Sequence, residues 1–386
     1  DRLNALPEVD YQQVNTHKLR LLRSAFEREG RRTATRRDYR EFMQANSRWL
    51  LPYAAYRTLR DEFGTADFSR WGDYARYDKK AVEAYCRRNS REIAFHCFVQ
   101  YHLHTQLSEV CAYARSRGVV LKGDLPIGVS RTSADAWIHP RLFHMDSQAG
   151  APPDAFSASG QNWGFPTYDW EHMAQDGYAW WQARMAKMAE YFDAFRIDHI
   201  LGFFRIWEIP VHAVHGLLGY FNPALPYSAD ELRGMGFDTA GGRFTVPAPD
   251  DRMLGELFGE LADEVRTTCM KEGRLLPAYA TQRKVAERFP GDDPRRSRLR
   301  EGLMTLLDDV LFIEDPRRKG FSIPASRPNR PICTAPSTRS GATLSTGFTT
   351  TSFTAATTGS GRSRPCANSP CSSRRRGCWP AARTSA

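Results

Sequence analysis

The chain has 386 residues with 41% hydrophobic and 12% aromatic side chains, enough to bury one large core or two smaller ones. No apolar run approaches bilayer-spanning length, and no charged-then-apolar leader opens the sequence, so nothing points to membrane insertion or secretion. The formal charge of +10 is not a nucleic-acid signature: residues 322–386 hold nine arginines and no Asp, Glu or Lys, leaving 45 basic against 44 acidic residues in 1–321.

Cysteine divides the same way. Cys86, Cys97, Cys111 and Cys269 have spacings that fit no metal site and read as reduced, packed thiols of a cytoplasmic protein. Cys333, Cys366, Cys371 and Cys378 lie in the arginine-rich tail. The first residue is Asp and the pattern opens in mid-element, so a fragment is expected at the start.

Residues 1–118 read as mainly helical, with Leu19, Leu22 and Phe26, then Phe42, Trp49 and Tyr53 at helical spacing, and Gly30 and Gly64 as stops. A long helix is expected from about Glu92 to Arg117, with Ile93, Cys97, Tyr101, Leu107, Cys111 and Ala114 on one face and Gly118 ending it. Val119-Val120-Leu121 then reads as a short buried parallel strand, followed by a loop at Gly123-Asp124-Leu125-Pro126. Residues 130–170 are rich in Gly and Pro and read as loop. A helix from Gly177 to Phe192 leads to a second strand, Asp193–Ile197, with Asp198 at its C-terminal end. Residues 204–209 suit an extended piece, 253–272 and 301–311 helices, and Leu311-Phe312-Ile313 a further strand. Helix, buried strand, loop, helix, buried strand is an α/β rhythm with a parallel sheet. In a β/α barrel, acids just after strands lie on the face where chemistry occurs.

The tail 322–386 mixes Ser, Thr, Pro, Arg, Gly and Ala without periodicity and reads as disordered, because it cannot offset its own ordering entropy. An out-of-frame translation explains it better. One codon choice for Gly347–Thr354, reread in another frame, yields Phe-Tyr-Asp-Asp-Phe-Phe-Tyr, which has the composition of folded protein.

Cleaving an acetal between sugars with retention needs two carboxyl groups, one to attack the anomeric carbon and one to protonate the leaving oxygen. A nucleophilic Asp stays ionised more easily beside an Arg. In an extended segment Arg196 and Asp198 share a side, and His199 follows as a possible sugar-hydroxyl ligand. From spacing alone the Arg–Asp pair reads more readily as an ion pair closing a strand. Trp163, with Gln161 and Asn162 in a Gly/Pro-rich loop, is a platform for a sugar face or equally the buried anchor of that loop. Trp180 and Trp181 lie on a helix and belong in the core. Asp124 is a strand-end cap or a supporting carboxylate, and Asp135 a helix-start acid. No phosphate loop, metal constellation or nucleophile elbow occurs.

The stretch Leu121-Lys122-Gly123-Asp124-Leu125-Pro126-Ile127-Gly128-Val129 resembles a signature of the 4-α-glucanotransferases (amylomaltase or disproportionating enzyme, glycoside hydrolase family 77). Three further stretches agree in order: Ser133–Trp137, Ala151-Pro152-Pro153-Asp154 through Gly160–Gly164 to Tyr168-Asp169-Trp170, and Phe195–His199 with Gly202-Phe203. The wording of 160–168 is similar to the larger, plant-cytosolic and Bacteroides-type branch, and the resemblance covers about 1–321.

The resemblance implies a (β/α)8 barrel with a helical insertion subdomain and no cofactor or metal. Here the barrel is expected to be incomplete: 1–118 as the helical insertion, 119–321 as partial barrel, and 322–386 as a tail outside the family. It implies a retaining transfer of α-1,4-glucan segments from a donor glucan or maltooligosaccharide to the 4-hydroxyl of glucose or a glycan. Carried over, Asp198 is the nucleophile and Arg196 its supporting cation, with Asp124, Asp154, Gln161, Trp163 and His199 binding substrate. The family's acid/base Glu and its third Asp belong beyond Phe321, where the chain has no acidic residue. The chain is therefore expected to lack the general acid/base and to be inactive as written. A non-catalytic α-glucan-binding protein on the same fold, or an α-amylase-like hydrolase, is the rival expectation.

Overall fold

The computed structural model describes residues 2–325 and the backbone of residues 379–382. Four helices come first: α1 (Tyr11–Thr35), α2 (Arg37–Phe63), α3 (Lys79–Arg88) and α4 (Ser90–Ser116). Asp10 and Asp78 start α1 and α3 by accepting the N–H groups of Gln13 and Ala81, which have no partner within the helix. The helices close on a core of Leu50, Ala54, Leu59, Trp71, Cys97 and Tyr101, and Trp137 from a short later helix completes it. Gly64 stops α2 in the left-handed conformation, as expected. Gly30 does not stop α1. The Phe26 ring lies 2.7 Å from where a Cβ at Gly30 would sit, so this glycine serves packing, and the helix runs on to Thr35.

The chain then alternates: β1 (Lys122–Leu125), α5 (Ala134–Ile138), β2 (Phe143–His144), β3 (Ser147–Ala151), β4 (Gln161–Asn162), β5 (Thr167–Tyr168), α6 (Trp170–Ala174), α7 (Ala179–Tyr191), β6 (Ala194–Ile197), β7 (Ile206–Pro210), β8 (Tyr220–Asn222) and β9 (Tyr227–Ser228). Next are α8 (Ala229–Gly234), α9 (Asp251–Phe258), α10 (Ala262–Thr268), β10 (Met270–Lys271), β11 (Arg274–Leu275), α11 (Gln282–Arg288), α12 (Pro294–Leu307), β12 (Phe312–Glu314), β13 (Phe321–Pro324) and β14 (Trp379–Ala382).

The first strand lies later than its apolar residues suggest. Val119 and Val120 are 51% and 70% exposed. The N–H of Val119 donates to Ala114 O and that of Gly118 to Arg115 O, with Gly118 at φ 71°, so these residues form the Schellman exit of α4. The helix end claims Val119 before the sheet can, and the strand starts at Lys122. β1 and β6 then pair in parallel with Asp124 opposite Arg196 and Leu125 opposite Ile197. β14 pairs in parallel with the other edge of β6, placing Ala382 opposite Ile197. This three-stranded parallel sheet is what the described residues form of the expected barrel.

Leu125, Phe195, Phe203 and Trp181 fill the layer between this sheet and α7. Trp181 is fully buried and Trp180 donates to Asp135 Oδ1 at 3.0 Å, so the core reading of both tryptophans holds. Arg115 of α4 donates to Asp193 Oδ1 at 2.7 Å, while Asp193 Oδ2 accepts from Leu121 N, fixing the helical region against the start of β6.

The rest of the site's frame is antiparallel. β4, β3, β7 and β8 form a four-stranded sheet in that order, and β12, β13 and β9 a three-stranded one. β13 runs through the sequence boundary at residue 322, with Ser322 and Ile323 buried. Apart from this strand, Ala325 and the backbone of β14, the arginine-rich tail lies outside the described residues. Among those described, Cys86, Cys97, Cys111 and Cys269 are free thiols, and no helix is long and apolar enough to cross a membrane.

Candidate active site

Asp198 follows β6 directly. Its N–H donates to Leu125 O at 3.1 Å, continuing the β1–β6 ladder by one residue and leaving the carboxylate exposed at the C-terminal end of the sheet. The backbone then turns sharply: His199 adopts φ 46° and ψ 56°, a left-handed conformation that a non-glycine residue holds only at a cost. Gly202 makes room for it. Its N–H donates to His199 O at 2.9 Å, and a Cβ there would lie 2.9 Å from His199 Cδ2. Burial pulls the His199 imidazole below its ordinary range against the opposing charge of Asp198, so the ring is neutral at pH 7.

An aromatic column stands over this turn. Trp163 meets His199 edge to face at 5.0 Å and stacks on Phe165 at 5.8 Å, with an interplanar angle of 26°. Phe165 lies over Gly128, where a Cβ would come within 2.3 Å of the ring. Trp163 is held from behind: its N–H donates to Ala149 O at 2.9 Å, and its indole N–H to Gln161 Oε1 at 3.0 Å. The structure therefore joins Trp163, Gln161, His199 and Asp198 into one surface.

Arg196 and Asp124 form the adjoining pair. Arg196 Nε donates to Asp124 Oδ1 at 2.8 Å and Nη2 to Oδ2, a bidentate arrangement between opposing residues of neighbouring strands. The hydrogen bond from Arg196 holds the Asp124 carboxyl below the usual range. The same bond and Asp124's charge keep the guanidinium protonated, and Asp198 adds its charge without a hydrogen bond. Arg196 thus reaches Asp198 through space and Asp124 by contact.

Asp154 is spent locally. Its Oδ1 accepts from Phe156 N at 2.9 Å and Ser157 N at 2.7 Å, closing its own turn, and its recorded bonds reach none of the other candidates. Phe156, at the tip of that turn, is 97% exposed.

Sequence reasoning missed Glu208. It is fully buried in β7, and its carboxylate accepts from Thr167 Oγ1 at 3.0 Å, Tyr220 OH at 3.1 Å, Asn222 Nδ2 at 2.7 Å and Arg317 Nη2. His144 Nδ1 lies 3.8 Å away. Burial alone raises its pKa, but the His144 imidazole and the Arg317 guanidinium outweigh that and hold it at about 2. The signal was available: one charge inside the apolar run Ile206-Trp207-Glu208-Ile209-Pro210.

A family profile described as 4-alpha-glucanotransferase, glycoside hydrolase family 77, matches residues 1–288. The chain belongs to this family. The 4-alpha-glucanotransferase DPE2 of rice (Oryza sativa subsp. japonica) is 40% identical over 326 residues, covering 80% of this chain and 34% of the rice protein. The 4-alpha-glucanotransferase of Aquifex aeolicus is 34% identical over 284 residues, 67% of this chain and 57% of that protein. This chain thus spans about a third of one relative's length and just over half of the other's. The amylomaltase of Streptococcus agalactiae in complex with acarbose superposes with a TM-score of 0.52 at 21% identity, covering 89% of this chain and 80% of that one, which shows a shared fold. In this chain the strand-end acid Asp198, His199 and Trp163 lie together at the end of β6.

Proposed function

We propose that the chain carries the nucleophile half of a retaining 4-α-glucanotransferase that acts on α-1,4-glucans. The exposed carboxylate of Asp198 at the end of β6, under the His199–Trp163 column, carries this reading. The loop that holds Gln161 and Trp163 excludes water from the glucosyl-enzyme, so that a sugar 4-hydroxyl accepts the glucosyl group. Arg196 presents its positive charge toward Asp198 and is held from swinging away by its two hydrogen bonds to Asp124. Asp154 contributes by shaping the loop's turn. Strands β1 and β6 belong to a (β/α)8 barrel.

Geometry points to where the proton donor belongs. The two carboxyl groups of a retaining enzyme lie roughly 5–5.5 Å apart, close to the roughly 4.8 Å between adjacent strands. An acid at the end of the strand neighbouring β6 satisfies this. In this chain that place is held by β14, Trp-Pro-Ala-Ala, with no acid. The alternative frame that makes 347–354 protein-like turns one codon choice for Arg376–Ala386 into Arg-Leu-Leu-Ala-Cys-Gly-Glu-Asp-Leu-Gly, with its Glu at the end of that strand. Sequencing the gene through the codons around Phe321 tests this. A shift of frame there is expected, and independent reads of one uninterrupted frame overturn it.

The amylomaltase that shares this fold was solved with acarbose, so acarbose is the probe for the binding half. Titration is expected to change tryptophan fluorescence, and Trp163→Ala should weaken binding about tenfold, or ~1.4 kcal/mol. Equal affinity of Trp163→Ala and the unaltered chain would remove Trp163 from the site. Absence of any binding by the unaltered chain would remove the glucan reading.

A further inference from the structure

A second oriented histidine lies beside the same loop. His215 follows β7, and its Nδ1 is 2.9 Å from Asp308 Oδ2. Gln282, fully buried, holds the pair from behind. Its Oε1 accepts from Val214 N at 2.7 Å and His215 N at 2.9 Å, which identifies the oxygen end of the amide. Its Nε2 therefore donates, to Asp308 Oδ1 at 2.7 Å and Met304 O at 3.2 Å. Both amide hydrogens are used, so none is left for His215 Nδ1 at 3.3 Å. The hydrogen between His215 and Asp308 consequently sits on Nδ1, because an ionised carboxylate only accepts. That tautomer leaves the Nε2 lone pair as an acceptor without a recorded partner, on a side chain that is 26% exposed.

The neighbourhood ties this acceptor to the glucan surface. Gly216 packs against the backbone of the Gln161 loop so closely that a Cβ there would lie 2.9 Å from Gln161 N and 3.0 Å from Ala151 O. Asn162 Nδ2 donates to Val214 O at 3.2 Å. His215 thus shares one rigid unit with the strand that carries Gln161. A glucan presents hydroxyl donors on every residue, and an imidazole whose Nδ1 hydrogen is committed to Asp308 turns its Nε2 toward them.

We infer that His215 Nε2 binds a hydroxyl of an α-glucan chain running along this loop, with Asp308 and Gln282 as positioning residues that set its tautomer. This rests on the glucan reading above. The test is calorimetric titration of the chain with maltoheptaose. His215→Ala is expected to weaken binding about tenfold, and His215→Gln, whose amide oxygen can also accept, to recover part of it. Asp308→Asn should weaken binding and, in ¹⁵N–¹H spectra, move the proton onto Nε2 in part of the population, which loss of packing alone does not do. If the unaltered chain binds and His215→Ala binds equally well, the inference falls while the glucan reading stands. If Nε2 carries the proton in the unaltered chain, the inference falls as well. If the unaltered chain binds no maltoheptaose and no acarbose, both readings fall together.

Discussion

Asp198→Asn is expected to leave the chain unable to form a covalent adduct with α-maltosyl fluoride, whereas the unaltered chain acquires one on the peptide containing Asp198. The choice of donor separates two roles that a glucan donor confounds. A sugar leaving group needs a proton from a general acid, and fluoride does not. The Asp198 carboxylate attacks the anomeric carbon, the C–F bond breaks with its electron pair leaving as fluoride, and a glycosyl ester remains. No proton donor takes part, so the step tests the nucleophile without requiring an acid beside it. Loss of the attacking atom should reduce adduct formation at least about 10³-fold. Mass spectrometry of the digested protein reads the result. An adduct on a different carboxylate, or equal labelling of Asp198→Asn, would move the nucleophile elsewhere. With maltotriose in place of the fluoride, the chain is expected to give neither glucose nor longer chains.

Glu208→Gln should cost stability rather than chemistry, about 3–5 kcal/mol in urea unfolding. The glutamine keeps the shape but removes the charge that neutralises Arg317 within a buried network of Thr167, Tyr220 and Asn222. What remains is a guanidinium with its partner gone. Replacing both charges, as Glu208→Leu with Arg317→Met, should return part of the loss, since the buried carboxylate is removed together with its partly exposed partner. The sign of the pH dependence follows from the depressed carboxyl. Its pKa is about 2 in the folded chain against an ordinary 4.5. Its contribution is therefore complete above about pH 4.5 and disappears as the pH falls toward 2. The unaltered chain should lose stability over that window more steeply than Glu208→Gln. Parallel slopes would mean that Glu208 does not carry the charge assigned to it. Through Thr167, the same network steadies the segment that follows the Trp163 loop.

By itself, the sequence determined the parts of this protein that depend on local pattern. Helical spacing located α1, α2 and α4, and Gly64 and Gly118 marked the ends of α2 and α4. The apolar run before Asp198 placed that acid at a strand terminus, and motif order identified the family. The tertiary structure decided whatever depends on partners distant in the chain. Val119 and Val120 carry a strand-like composition, yet the helix end captures the Val119 backbone and the strand starts only at Lys122. Arg196 has the spacing of a partner for Asp198, yet the register across β1 and β6 hands its two hydrogen bonds to Asp124. Spacing along one strand says which side a residue faces; pairing between strands says whom it meets. Glu208 shows the same limit, since Thr167, Asn222 and Arg317 come from separate segments that only the packed sheets bring together. His215, Gln282 and Asp308 are likewise a site only in three dimensions, because the hydrogen-bond count that sets the imidazole tautomer involves residues up to 93 positions apart.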